Sequence, residues 1–121
     1  MMLRLPVAAI AALLMACDAS AQDAASGKLL YEACAPCHGT AAASSELGPS
    51  LTGIVGRAAA TREDFRYSRA LRSAKIVWDE SALDAFLADP QSFVAGTRMP
   101  FAGIPDKRER ASLISYLATL H

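Results

Sequence analysis

The chain has 121 residues, with 12 basic and 12 acidic side chains and a formal net charge of zero. That is the length of one small domain, and a balanced charge offers no basic surplus to neutralise phosphates, which argues against nucleic-acid binding. Beyond the N-terminal stretch no run is long and apolar enough to span a bilayer, which takes roughly 20 residues.

Arg4 gives a short positive start, Leu5 to Ala16 is an apolar run, and Ala19-Ser20-Ala21 reads as a small-residue cleavage site. Residues 1–21 are therefore expected to be a secretory signal peptide, with the mature chain starting at Gln22 and the working domain covering 22–121. The destination is the periplasm. Leu14-Met15-Ala16-Cys17 resembles a lipobox, in which Cys17 would carry lipid. The small-residue site fits the secretory pattern more directly. Without the leader, Cys34 and Cys37 are the remaining cysteines.

Apolar spacing at Leu29, Leu30 and Ala33 predicts a first helix over 25–35, ending near Pro36. Residues 34–38 read Cys34-Ala35-Pro36-Cys37-His38. C-x-x-C-H is the attachment signature of c-type haem. One helical turn separates two thiols that add across the vinyl groups, and His38 follows to coordinate the iron from one side. A lone C-x-x-C would be ambiguous between a redox dithiol, half a zinc site and a disulfide. A disulfide closing so short a loop would constrain little of the unfolded chain.

The stretch 39–61 is rich in Ala, Ser, Gly and Pro and predicts a long loop, of the kind that wraps a ligand. A short helix is expected over 68–74. Asp79 is a suitable N-cap for a helix through Leu83, Phe86 and Leu87 to Pro90. Residues 91–105 read as loop, with Gly96, Pro100, Gly103 and Pro105. Asp106 and Glu109 resemble a capping box opening a last helix with Leu113, Ile114, Tyr116, Leu117 and Leu120 on one face. No alternating strand pattern is present. The expected class is all-α, three to five helices with much loop.

Four motifs in order then resemble a class I cytochrome c of the mitochondrial and bacterial c2 type, over Gly27 to Leu120. They are Cys34-x-x-Cys37-His38; Gly48-Pro49-Ser50-Leu51-x-Gly53-x-x-Gly56-Arg57; Phe65-x-Tyr67-Ser68 with Trp78 beyond; and Gly96-Thr97-Arg98-Met99-x-Phe101-x-Gly103 with its following helix. The resemblance implies one haem c, covalent through Cys34 and Cys37, wrapped by the helices. It implies Met99 as the second axial ligand, in preference to a gap-filling core methionine. His121, the other histidine, sits at the chain end. The resemblance further implies that the Pro49 carbonyl accepts from His38, and that Arg57, Tyr67, Trp78 and Thr97 donate to the haem propionates. Gly27 and Tyr116 resemble the pair at which first and last helices cross.

Histidine with thioether fills both axial positions and suits electron transfer. The expected function is a one-electron carrier, not an enzyme, acting as a monomer between membrane or soluble redox proteins. A ligand-binding or peroxidase-like haem protein with a labile Met99, or a lipid-anchored subunit of a dehydrogenase, stays open as an alternative. Two positions depart from the mitochondrial pattern: Phe86 stands for a tyrosine and Leu71 for an asparagine. Gln91 and Ser92 stand where such relatives place lysines, so a weaker salt dependence of partner docking is expected.

Overall fold

In the computed structural model the backbone is described at residues 1–4 and 19–121. The apolar run at Leu5–Ala16 and Cys17 lie outside the described residues. Among the described residues six α-helices follow in order: α1 (Ala19–Leu30), α2 (Ala35–His38), α3 (Arg69–Ser73), α4 (Glu80–Ala88), α5 (Pro90–Phe93) and α6 (Lys107–Leu117). Two of them, α2 and α5, are single turns of 4 residues. Among the described residues the extended backbone amounts to one isolated antiparallel bridge, Ala58 with Val77.

The ends of these helices are set by short polar side chains. Ser68 Oγ accepts from Leu71 N (3.1 Å), Asp79 Oδ1 from Ala82 N (2.8 Å), and Asp106 Oδ1 from Arg108 N (2.8 Å) and Glu109 N (3.0 Å). Each satisfies an N–H that the first helical turn leaves without a partner. The α3, α4 and α6 segments thus start where the sequence places them. Residues 91–105 are not all loop, however. Asp89 accepts from Ser92 N at 3.2 Å and Pro90 opens α5.

The first helical segment also differs from expectation. The α-helix stops at Leu30 and tightens into a 3-10 turn over Tyr31–Ala33. Pro36 does not end a helix but sits in the first turn of α2, where a missing N–H costs nothing. The buried face is not Leu29 either, which is 69% exposed, but Gly27 and Tyr31. The reason is the crossing with α6: a side chain at Gly27 would collide with the α6 backbone, so the face with the smallest residue turns inward.

Packed against this crossing is a core of Tyr31, Trp78, Leu83, Leu87, Leu113, Ile114 and Leu117. The three α6 residues among them are at most 6% exposed, and burying each is worth about 2 kcal/mol. Tyr31 and Tyr116 stack across the crossing with ring centroids 5.2 Å apart. Around the bridge, Trp78 N donates to Arg57 O (2.8 Å) and Gly56 N to Trp78 O (2.7 Å). This exchange holds the 53–60 loop against Trp78 and so fixes one wall of the site.

Candidate functional site

The C-x-x-C-H segment forms a turn of its own. Cys34 N donates to Tyr31 O (2.8 Å), and Cys34 O then accepts from Cys37 N (3.2 Å) and His38 N (2.9 Å). Cys34, Cys37 and His38 all line one cavity of about 930 Å³. Neither cysteine is joined in a disulfide among the described residues. Burial, and secondarily the neighbouring Cys37, pushes the Cys34 thiol up. Among the described residues no three His, Cys, Asp or Glu side chains converge.

His38 Nδ1 lies 2.7 Å from the Pro49 carbonyl oxygen. Donation there assigns the proton to Nδ1 and leaves the Nε2 lone pair free. Burial pushes the imidazole below its ordinary value, against the opposing effect of the Pro49 bond, so the ring is neutral at pH 7. Gly48 permits this approach: a Cβ there would stand 3.1 Å from His38 Nδ1 and 3.0 Å from the Cys37 carbonyl oxygen.

Pro49, Arg57, Tyr67, Trp78, Thr97 and Met99 line the same cavity, so the fold brings every candidate site residue to one place. His121 is exposed and lies apart from it. Met99 is half-buried, on the loop between α5 and α6. Arg57 Nε donates to Thr61 Oγ1 (3.1 Å) and is held within the 52–61 loop, not extended into solvent. Tyr67 Oη accepts from Arg62 N at 3.3 Å. The Trp78 indole N–H has no acceptor among the described residues. Leu71 and Phe86, the two departures, also line it. Phe86 meets Trp78 edge-on, centroids 5.0 Å apart at 63°, an apolar contact.

One part of the site carries no signal in the sequence. Ser44 donates from N (2.9 Å) and from Oγ (2.8 Å) to the Asp64 carboxylate, which Arg62 also binds from Nε (3.0 Å) and an Nη (3.1 Å). This polar tie closes the 40–48 loop over the cavity. Its partners are 20 positions apart in two segments without periodicity, so spacing could not reveal it.

The family model for cytochrome c matches residues 24–121. The chain belongs to the cytochrome c family. Cytochrome c of Euglena viridis is 41% identical over 99 residues, covering 81% of this chain and 97% of that one. Cytochrome c2 of Blastochloris viridis is 39% identical over 100 residues, covering 82% and 79%. Among solved structures, cytochrome cH from Methylobacterium extorquens superimposes with a TM-score of 0.76 at 37% identity, covering 80% of this chain and 98% of that one. This cytochrome is all-α, carries one haem c attached covalently through its cysteines, and is an electron carrier that works with redox partners, not an enzyme.

The residues around the cavity fit that group. Two cysteines on one turn, an imidazole held through Nδ1, a thioether, an apolar lining and the Trp78 ring meet there. When bound, the haem supplies an iron that gains and loses one electron. No helix among the described residues is long and apolar enough to cross a membrane.

Proposed function

We propose that this cytochrome is exported to the periplasm and moves single electrons between larger redox proteins, with His38 and Met99 as the axial ligands of its iron. The observation that carries the reading is that both residues line the cavity of the attachment cysteines, His38 with Nδ1 already engaged by Pro49. An imidazole and a thioether together favour the ferrous state and leave no axial position for a substrate. The Pro49 bond holds the ring in one tautomer and orientation. Arg57, Tyr67, Trp78 and Thr97 donate to the propionates, because a partly buried carboxylate needs such partners. The apolar lining, Leu51, Leu71 and Phe86 among it, excludes water, so a change of one charge meets surroundings that reorganise little.

In this reading residues 1–21 are removed and Gln22 begins the mature domain, 22–121. Cleavage there takes Ala19, Ser20 and Ala21 from the start of α1. The mature protein acts as a monomer, docking transiently with its donor and acceptor.

The deciding experiment is the visible spectrum of the exported protein in both oxidation states. A low-spin c-type spectrum with the weak far-red band of ferric iron on a thioether supports the full ligand set. Covalent haem without that band removes Met99 from it. The mass of the mature N-terminus separates cleavage before Gln22 from lipid on Cys17.

A further inference from the structure

Met99 is held through its backbone from two directions. Its N–H reaches Thr97 Oγ1 at 3.4 Å. Its carbonyl accepts from Phe101 N at 2.9 Å and from the side-chain amide of Gln91 at 3.1 Å. The same Gln91 Nε2 lies 3.4 Å from Thr97 O. One exposed side chain on α5 thus bridges the carbonyls on either side of Arg98. Further backbone bonds pin the loop toward its ends, from Thr97 N to Val94 O (3.0 Å) and from Ile104 N to Leu87 O (2.7 Å). Gly96 and Gly103 sit at φ 86° and 106°, and the Arg98 guanidinium is engaged by Arg66 O at 2.7 Å.

We infer that Gln91 is a positioning residue for Met99: its two amide N–H groups fix the Met99 peptide, so that the thioether stays presented to the cavity and the coordination site resists outside ligands. The inference rests on Met99 being an iron ligand. It depends on donors at position 91 and not on bulk, because both groups it meets are acceptors. Gln91→Glu keeps the shape and replaces the donors by acceptors, setting a carboxylate against two carbonyl oxygens. Gln91→Arg restores N–H donors and introduces no competing ligand.

The test is an imidazole titration of the ferric holoprotein, read on the far-red thioether band. An outside ligand binds only the fraction in which Met99 has left, so its apparent affinity reports that fraction. Losing a hydrogen bond of this kind is expected to raise the affinity about tenfold in Gln91→Glu. Gln91→Arg should return it to the wild-type value, with the urea midpoint of unfolding unchanged in both. Equal imidazole affinity in wild type and Gln91→Glu overturns the inference. So does a tenfold gain matched by an equal loss of global stability, or a Gln91→Arg protein that behaves like Gln91→Glu. If the wild-type protein itself lacks the far-red band, the ligation by Met99 fails; if the band is present and the variants behave alike, only the role of Gln91 does.

Discussion

A Cβ atom placed on Gly27 would stand 2.0 Å from the carbonyl oxygen of Ser112. No side-chain rotation relieves that clash, since the obstacle is backbone. Gly27→Ala must push α1 away from α6, where Tyr31 and Leu113 are buried. The helix-propensity gain of roughly 1 kcal/mol is outweighed. We expect a net loss of about 2–3 kcal/mol, read as a lower urea midpoint with c-type absorbance retained.

Tyr31 gives a pH-dependent prediction at the same crossing. Its hydroxyl donates to Gly39 O, and burial, then Cys34, then Tyr116, pushes its pKa from 10.0 up to about 12. A folded value above the unfolded one means the contribution is fully present below pH 10 and lost as pH rises from 10 toward 12. Tyr31→Phe should therefore be less stable than wild type at pH 8, with the gap closing across that alkaline window. A gap that stays constant to pH 12 would mean the hydroxyl is not titrating in place.

Arg110 ties the end of the methionine loop to two helices. Its Nε donates to Asp84 Oδ1 on α4 (2.8 Å), and Nη1 donates to the carbonyls of Ile104 (2.9 Å) and Pro105 (3.0 Å). Asp84 is 37% exposed, so solvent screens the ion pair and Asp84→Asn should cost less than about 1 kcal/mol. Arg110→Leu strands the half-buried Ile104 carbonyl, while that of exposed Pro105 can turn to water, and should cost about 1–3 kcal/mol. Chemical denaturation of both variants checks the inequality.

A net charge of zero conceals a local basic patch. Arg66, Arg69, Arg72 and Arg98 rim a shallow depression, and Arg66, Tyr67, Ser68 and Arg98 also line the cavity. The ion pairs among the described residues involve none of the four. A local field can steer a reagent even when net charge is zero. Oxidation of the reduced protein by hexacyanoferrate(III) moves one electron to the anion. Its rate should fall at least about threefold between low and high salt. Arg66→Gln/Arg69→Gln/Arg72→Gln should abolish most of that fall, while Lys28→Gln/Lys107→Gln/Arg108→Gln, with the same charge change, should not. Equal effects of the two triples would return the weak salt dependence expected from Gln91 and Ser92.

Much of this architecture was legible because it is written in local chemistry. Ser68, Asp79 and Asp106 cap helices that they immediately precede, and the thiols and imidazole of Cys34 to His38 share one turn. Leu113, Ile114 and Leu117 announce a buried face by period alone. What escaped was decided between distant segments. Leu29 looks like a core residue until α6 claims the Gly27 face. Pro36 looks like a terminator until the chain has turned and needs a helix start. Gln91 reads as a lost lysine until its amide is seen to meet Met99. Asp64 belongs to no motif until Ser44 and Arg62 close on it. Position 89 illustrates the middle ground: Asp-Pro is a helix-start signal, masked by the glycines and prolines that crowd the segment after it.

The tie among Ser44, Asp64 and Arg62 sets an order of disassembly. Arg62, then Ser44, holds the Asp64 carboxyl well below the usual carboxylate range. A depressed folded value means the seam is whole above pH 3.8 and weakens as acid protonates it below that value. The crossing of α1 with α6 is held by packed aromatic and aliphatic side chains and not by a carboxylate. Acid should therefore unstitch the 40–48 flap while the helical frame still stands, so that the first intermediate on the way to unfolding is an opened shell and not a collapsed one.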